Sequence, residues 1–169
     1  MLINNANSII IILLISISFG AAPDVTDISD ETIAEGGTFS TISLNDYVSD
    51  IETADADIVW TYTGDSNLTV AITSQVATIT APTDWNGSET ITFTATDTGD
   101  GSDGAESDSD NATFTVTAVN DAPVVTDIPD ETILEGGTFS TISLNGYVSD
   151  IETADADIDW TYSGNTNLV

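Results

Sequence analysis

The second part of this chain repeats the first at a fixed spacing of 100 residues. Residues 122 to 169 match residues 22 to 69 at 39 of 48 positions, with no gap. Self-similarity at a constant period marks tandem structural units. We therefore predict one complete unit over residues 21 to 120, and a second, truncated unit over residues 121 to 169 that contains only its N-terminal half.

The charge of the chain restricts what it can bind. Its 169 residues include 29 Asp and Glu but no Lys, Arg or His. Every carboxylate must therefore be solvated, hydrogen-bonded or neutralised by a cation from solution. Nucleic acid is excluded as a partner, because its phosphates require basic side chains.

The missing residue types also restrict chemistry. Without cysteine there are no disulfides and no thiolate metal sites, so only oxygen ligands remain. Without His, Lys or Cys the usual general bases and nucleophiles are absent, which leaves paired carboxylates as the one common enzymatic route. We therefore predict a protein that is not an enzyme.

The first 20 residues have the pattern of an export signal. An apolar run extends from Ile9 to Phe19, too short to span a bilayer but suited to the apolar region of a signal peptide. The preceding residues carry no basic side chain, so an uncleaved anchor and a buried strand are the alternatives. We expect a secreted or cell-surface protein whose mature domain does not insert into the membrane.

From Asp24 onward, apolar and polar residues alternate between Gly, Asn, Asp and Pro clusters, a pattern typical of β-strands. The predicted strands cover residues 24–28, 38–44, 57–63, 67–72, 75–81, 89–96 and 111–119. Seven strands in about 100 residues are typical of an immunoglobulin-like β-sandwich. The fold class we predict is all-β, with two such sandwiches in tandem.

The alternation also predicts which side chains face the core. Ile58 and Trp60 alternate with Val59, and only Val59 becomes a charged residue, Asp159, in the second copy. We therefore expect Trp60 to be buried and threonines to cover the outer faces of the strands. A sugar-stacking role is the alternative for Trp60, and for Trp85 the alternatives are a sugar platform and a cap on the sandwich.

Antiparallel strands would place alternate loops at opposite ends of each unit. Joining two units then brings the exit end of the first against the entry end of the second. The predicted joint contains Glu35, Asp84, Asn120 and Asp121 of the first unit with Asp150 and Glu152 of the second. Calcium takes six to eight oxygen ligands and would relieve the repulsion among these acids. The alternative is a solvated acidic hinge.

Four motifs add a resemblance to a known family. EGGTF, DIE, FTATD and VNDAP resemble, in this order, the calcium-associated motifs of cadherin repeats, and above all the cadherin-like tandem repeats of large bacterial surface proteins. The resemblance implies a Greek-key sandwich, calcium at the joints, and a role in adhesion or as a spacer. The ligands that it implies are Glu35, Asp50, Glu52, Asp97, Asn120 and Asp121, with Glu135, Asp150 and Glu152 as second-copy counterparts. Ala118 stands where cadherin linkers usually carry aspartate, which implies fewer ions per joint.

Two further hypotheses concern other parts of the chain. The acidic turn from Asp97 to Asp110 is predicted to be a solvated loop, with a calcium-binding loop and a catalytic turn as alternatives. An accessory domain of a secreted polysaccharide-degrading enzyme, with Trp85 and Tyr62 in contact with glycan, is the alternative function. The partners we expect are neighbouring repeats of the same chain and a glycan or protein at the cell surface.

Overall fold

The computed structural model describes residues 20–99 and 104–166. The predicted signal segment lies outside the described residues except for Gly20. In the part of the chain that the structure describes, no helix is long and apolar enough to cross a membrane.

The described chain is all-β, with short 3-10 helices as its only helical elements. The strands of the first copy are β1 Asp24–Val25, β2 Glu31–Ala34, β3 Ile42–Ser43, β4 Val48–Ser49, β5 Val59–Thr63, β6 Thr69–Thr73, β7 Val76–Thr80, β8 Gly87–Thr96 and β9 Ser107–Thr117. Its 3-10 helices are Leu44–Tyr47 and Asp55–Asp57. The alternation of apolar and polar residues therefore predicted the class of structure correctly.

Strands β2 and β4 were not predicted, and the first two predicted strands are shorter than expected. The strand predicted over residues 24–28 ends at Val25. The backbone N–H of Ile28 instead donates to the carboxylate of Asp110, 82 residues later in the chain, at 2.7 Å. That side-chain acceptor takes the place of a neighbouring strand.

Two sheets of the first copy contribute to one core. One has the order β2-β9-β8-β5 and the other the order β3-β7-β6, while β1 pairs with β4. Within the larger sheet β2 runs parallel to β9, whereas β9-β8 and β8-β5 are antiparallel. Tyr62 in β5 connects the two sheets by donating its hydroxyl to the Val70 carbonyl in β6 at 2.8 Å.

The core is built from the inward positions of the long strands. Phe93 and Phe114 are fully buried, and Phe114 meets Phe39 edge to face, with ring centroids 5.2 Å apart. The predicted faces are confirmed at β5, where Trp60 is 8% exposed and Val59 is 55% exposed. Burying each large apolar side chain contributes about 1.5–3 kcal/mol.

Hydroxyl groups cover the outer face of β8 and β9, as the alternation predicted. Ser88 pairs with Thr115 at 3.0 Å and Thr90 with Thr113 at 3.1 Å, in each case through their side-chain oxygens. These cross-strand pairs satisfy the hydroxyls without charge.

The second copy keeps part of the local structure of the first over its described residues. It contains β10 Val124–Val125 and β11 Val148–Ser149, which pair as β1 and β4 do, and 3-10 helices at Leu144–Tyr147 and Asp155–Asp157. Phe139 is 45% exposed, whereas Phe39, its counterpart in the first copy, is 3% exposed. Within the described residues, the apolar side chain of Phe139 is therefore far more exposed than its first-copy counterpart.

Candidate metal centre between the two copies

Three carboxylates from separate segments meet where β9 ends, which we call the exit end of the first copy. Glu35 follows β2, Asp84 lies in the turn between β7 and β8, and Asp121 follows β9. Each offers one oxygen, and these oxygens lie within 4.8 Å of one another. We call these three residues the acidic triad.

The sheet topology positions Glu35. The parallel pairing of β2 with β9 aligns Ala34 with Thr117, so both strands end at the same level. The backbone N–H of Glu35 donates to the Thr117 carbonyl at 2.9 Å and continues this pairing. The Glu35 side chain therefore emerges beside the segment that leads to the second copy.

The turn before β8 positions Asp84. Gly87 at the start of β8 is paired with Val116 near the end of β9. Asp84 has a φ of +56°, a left-handed conformation that aspartate tolerates better than most residues. Trp85 is half-buried against the core and lies over Gly87, where a Cβ atom would come within 2.8 Å of the indole ring. This packing fixes the turn against the sheet.

One oxygen of the triad is buried without a partner. The Oε2 atom of Glu35 accepts a hydrogen bond from the Val119 N–H at 3.1 Å. Its Oε1 atom is buried and has no hydrogen-bond partner among the described residues. Buried polar atoms are normally satisfied, and an unsatisfied one is costly. A cation that the triad held through this oxygen would satisfy it, so the residue types present fit an oxygen-ligated metal.

The second copy contributes to the same region. The Asp121 N–H donates to Glu152 Oε2 at 3.1 Å. Asp84 and Asp121 also line a cavity that Asp150 borders on the side of the second copy. The sequence-predicted joint is thus assembled in part, with Asp150 and Glu152 beside the triad.

Asp150 is already engaged in its own turn. Its Oδ1 atom accepts hydrogen bonds from the backbone N–H groups of Glu152 and Thr153, at 3.1 and 2.6 Å. Only its second oxygen is therefore available to a cation at the joint.

The corresponding residues of the first copy lie at the opposite, entry end. Asp50 accepts from the N–H groups of Glu52 and Thr53, as in the second copy. Glu52 accepts from the Ala21 N–H at 3.4 Å, just as Glu152 accepts from Asp121. The Oδ2 atom of Asp50 is buried and has no hydrogen-bond partner among the described residues. Asp50 and Glu52 therefore make the same hydrogen bonds as Asp150 and Glu152 do in the second copy, but they do not belong to the triad.

The Asp97 side chain is hydrogen-bonded to the loop that follows β8. It is 6% exposed, and its Oδ1 atom accepts from the N–H groups of Gly99 and Glu106, both at 2.9 Å. Since β8 ends at the entry end, Asp97 is not part of the triad. The carboxylate accepts two backbone N–H groups of the loop, and its role as a metal ligand stays a prediction.

Among the described residues, the remaining predicted ligands, Asn120 and Glu135, make no hydrogen bond to the triad side chains. The Asn120 amide donates to the Asp121 carbonyl at 2.6 Å, and Asn120 is exposed. Glu135, the counterpart of Glu35, is exposed in the second copy.

The acidic turn predicted over Asp97 to Asp110 is shorter in the structure. Strand β9 begins at Ser107, so Asp108 and Asp110 lie in a strand and not in a solvated loop. Both accept backbone hydrogen bonds, from Val25 at 2.9 Å and from Ile28 at 2.7 Å. The prediction was wrong for these two residues, because it treated the acidic run as one segment although Asp108 and Asp110 continue the inward alternation of β9.

Sequence reasoning also missed Glu89, which binds the loop before β6. Its carboxylate accepts from the backbone N–H groups of Ser66, Asn67 and Leu68 at 3.0, 2.7 and 3.1 Å, and from the Asn67 amide at 2.6 Å. Burial alone would raise the pKa of this carboxyl, but these hydrogen bonds outweigh burial and lower it. An acid at an inward strand position was the available signal.

Comparison with known proteins adds no identity. No protein-family model matches the chain, and no curated protein matches it at a significant level.

Proposed function

We propose that this chain is a non-enzymatic repeat module of an exported surface protein, in which immunoglobulin-like, cadherin-like sandwiches follow one another and calcium stiffens each joint. The observation that carries the proposal is the acidic triad with its buried, unpartnered Glu35 oxygen, placed beside the second copy. The tandem repeat and the apolar N-terminal segment support export and serial stacking.

The chemistry of the triad favours calcium over other cations. All the available ligands are oxygens, and calcium accepts carboxylates, backbone carbonyls and water in flexible geometry. The triad offers carboxylates from three segments, so that a bound ion would connect β2, the turn before β8 and the linker. Magnesium demands near-octahedral geometry and releases water reluctantly, so it fits a three-carboxylate cluster poorly.

Bound calcium would act mechanically. Asp121 belongs to the linker and already donates its N–H to Glu152. An ion that holds the Asp121 carboxylate to Glu35 and Asp84 would limit the angle between neighbouring repeats. Stiff, strongly acidic repeats suit a stalk that carries an adhesive partner site away from the cell.

The glycan-binding alternative has less support. Trp85 and Tyr62 both pack in part against the core, and the Tyr62 hydroxyl donates to the Val70 carbonyl, so both side chains already have a structural role. We therefore carry the spacer function forward and treat glycan binding as secondary.

A calcium titration followed by thermal unfolding tests the proposal. When the free calcium concentration is ten times Kd, calcium should stabilise the folded chain by about 1.4 kcal/mol. For a unit of about 100 residues this corresponds to a rise in Tm of about 6–10 °C. Asp121→Asn should lose most of that gain. Asp65→Asn removes an exposed charge at the exit end but outside the triad, so this variant should keep the full calcium-dependent rise in Tm.

The salt concentration decides whether the result is specific. General repulsion among the acids is relieved by any salt, so the titration should contain about 0.15 M NaCl or more. Equal calcium responses in the wild type and Asp121→Asn, or an equal response to magnesium, would reduce the triad to a solvated acidic hinge.

A further inference from the structure

The larger sheet of the first copy carries no charge on its outer side. In β8 the outward residues alternate from Ser88 to Thr96, and all of them are serine or threonine. In β9 they alternate from Ser107 to Thr117 and are serine, threonine or asparagine. The outward residues of β5 and β2 are threonine, valine or alanine. We call this outer side of the β2-β9-β8-β5 sheet the neutral face.

The acids of these four strands all lie on the inner side of the sheet. They are Glu31, Glu89, Asp108 and Asp110, and each accepts a hydrogen bond from at least one backbone N–H. Alternating strands normally show the reverse arrangement, because an outward carboxylate is solvated whereas an inward one must find donors within the protein. In a chain with 29 acids and no basic residue, the lack of charge is therefore a specific property of the neutral face.

The hydroxyls of the neutral face keep hydrogen-bonding capacity. The side-chain oxygens of Ser88 and Thr115 lie 3.0 Å apart, and those of Thr90 and Thr113 lie 3.1 Å apart. A hydroxyl has one donor hydrogen and two acceptor lone pairs. Each pair uses one hydrogen between its two members, so each pair still offers one donor and several lone pairs. A surface that offers both donors and acceptors is complementary to another copy of itself.

The charge distribution determines where two molecules of this chain can meet. Molecules with a net charge of −29 repel each other wherever their acidic loops approach. The centre of β8, a strand of 10 residues, lies about 17 Å from either of its ends. The Debye length is about 8 Å at 0.15 M salt, so repulsion from the loops is largely screened at the centre of the face. Two molecules can therefore pack on the neutral face without bringing carboxylates together.

The area of the neutral face is sufficient for a weak dimer. Its strands β8, β9, β5 and β2 have 10, 11, 5 and 4 residues. At about 3.4 Å per residue and about 4.8 Å between strands, the face covers about 500 Å². Two such faces bury about 1,000 Å² in total, which is the lower limit of a specific interface. The outer side of the other sheet is also uncharged, but β3, β7 and β6 have only 2, 5 and 5 residues, so its area is less than half as large.

We propose that the neutral face is a homodimer interface, on which a second molecule of this chain packs its own neutral face about a two-fold axis. The same surface of both partners is then buried, hydroxyl against hydroxyl, while the acidic loops at both ends of the sheet stay in solvent. The interface contains no residue of the acidic triad, so the pairing is independent of the calcium site proposed above. It would join neighbouring molecules side by side.

Sedimentation equilibrium of the full chain, with a calcium chelator present, tests the pairing. The association constant for dimer formation should rise at least about tenfold between about 0.02 and 0.5 M NaCl, because salt screens the repulsion between the acidic loops. A chain that is still monomeric at about 1 mM protein in 0.5 M NaCl would overturn the proposal.

Two matched variants test which surface is used. Thr90 and Thr78 are both exposed, at outward positions of β8 and of β7 in the other sheet. Thr90→Glu puts a carboxylate on the neutral face of both partners and should weaken association at least about tenfold. Thr78→Glu adds the same charge outside that face and should associate as the wild type does. Association that is insensitive to Thr90→Glu, or equally sensitive to both changes, would contradict the assigned interface.

Cross-linking provides a second measurement that adds no charge. The chain has no cysteine, so a single introduced thiol reports on its own position alone. Thr92 lies at the middle of β8 and faces Asn111 in β9, close to the centre of the neutral face. A thiol-specific reagent with a spacer of about 10 Å, the distance between packed sheets, should link Thr92→Cys molecules at least about ten times faster than Thr78→Cys molecules. Equal rates would show that the neutral faces do not meet, and the proposal would fall.

Discussion

Substituting Glu89 by glutamine should destabilise the first copy more than the loss of one charge can explain. Four donors converge on this carboxylate, three of them backbone N–H groups of the loop Ser66 to Leu68. Glutamine keeps one acceptor oxygen but turns an NH2 group toward the remaining donors. At least one backbone N–H group then loses its acceptor.

The size of the effect follows from these contacts. A hydrogen bond to a charged group contributes about 1.5–3 kcal/mol, and solvent screening at this half-buried site reduces that figure. We therefore expect Glu89→Gln to lower the free energy of unfolding by about 1–2 kcal/mol at pH 7. Asp65→Asn is the matched control. Asp65 belongs to the same loop and its side chain makes no hydrogen bond among the described residues. Asparagine is also the residue that the second copy has at the equivalent position, Asn165.

The effect should depend on pH in a defined direction. The pKa of the Glu89 carboxyl is lowered in the folded state, so its stabilising contribution is fully present above the unfolded pKa, about 4.3. That contribution is lost as the pH falls through the folded pKa. The difference in unfolding free energy between the wild type and Glu89→Gln should therefore shrink toward zero in strong acid.

Urea denaturation of both variants and the wild type at pH 7 and at successively lower pH measures this difference directly. Comparing variants at one pH cancels the general repulsion among the acids, which also changes with pH. A cost no larger than that of Asp65→Asn, or a cost that stays constant down to strong acid, would refute this account of Glu89.

Two further substitutions test the packing. Gly87→Ala should destabilise the first copy by about 1–3 kcal/mol, because φ is +152° at this position and the new Cβ would meet the Trp85 ring. Gly104 has open space around it, so Gly104→Ala should be nearly neutral in the same urea melts. Val59→Asp should change the free energy of unfolding by less than about 0.5 kcal/mol, since the second copy carries aspartate at that position. Ile58 is buried, so Ile58→Asp should unfold the first copy and abolish its cooperative urea transition. Equal effects of the Val59 and Ile58 variants would contradict the assigned faces of β5.

The sequence was informative where one face of a strand is buried. Ile58, Trp60 and Phe93 follow period two, and the structure buries all three. The pattern failed at Ile28, whose backbone N–H donates to the Asp110 carboxylate and not to a neighbouring strand. It also failed at the second strand. Glu31–Ala34 is too short to show a clear period, and it forms a strand only because β9, more than 70 residues later, lies beside it.

For the candidate site, the sequence predicted only at which end of the sandwich each loop lies. Strand order placed Glu35, Asp84 and Asp121 at one end, and the structure brings them together. It could not indicate that Asp97 is occupied by backbone donors of its own loop. Such contacts depend on loop conformation, which hydrophobic periodicity does not encode.

Without basic residues, the acidic side chains are hydrogen-bonded, solvated or neutralised by a cation from solution. Some, such as Glu89 and Asp110, accept backbone N–H groups, and these carboxylates replace the ion pairs that an ordinary domain would use. Glu35 is only partly hydrogen-bonded, since one oxygen accepts the Val119 N–H while the other is buried without a partner among the described residues. A backbone N–H group can satisfy one oxygen but cannot offset two further carboxylates within 4.8 Å. In a chain without lysine, arginine or histidine, a cation from solution would do so, and the joint is therefore where a metal should first be sought.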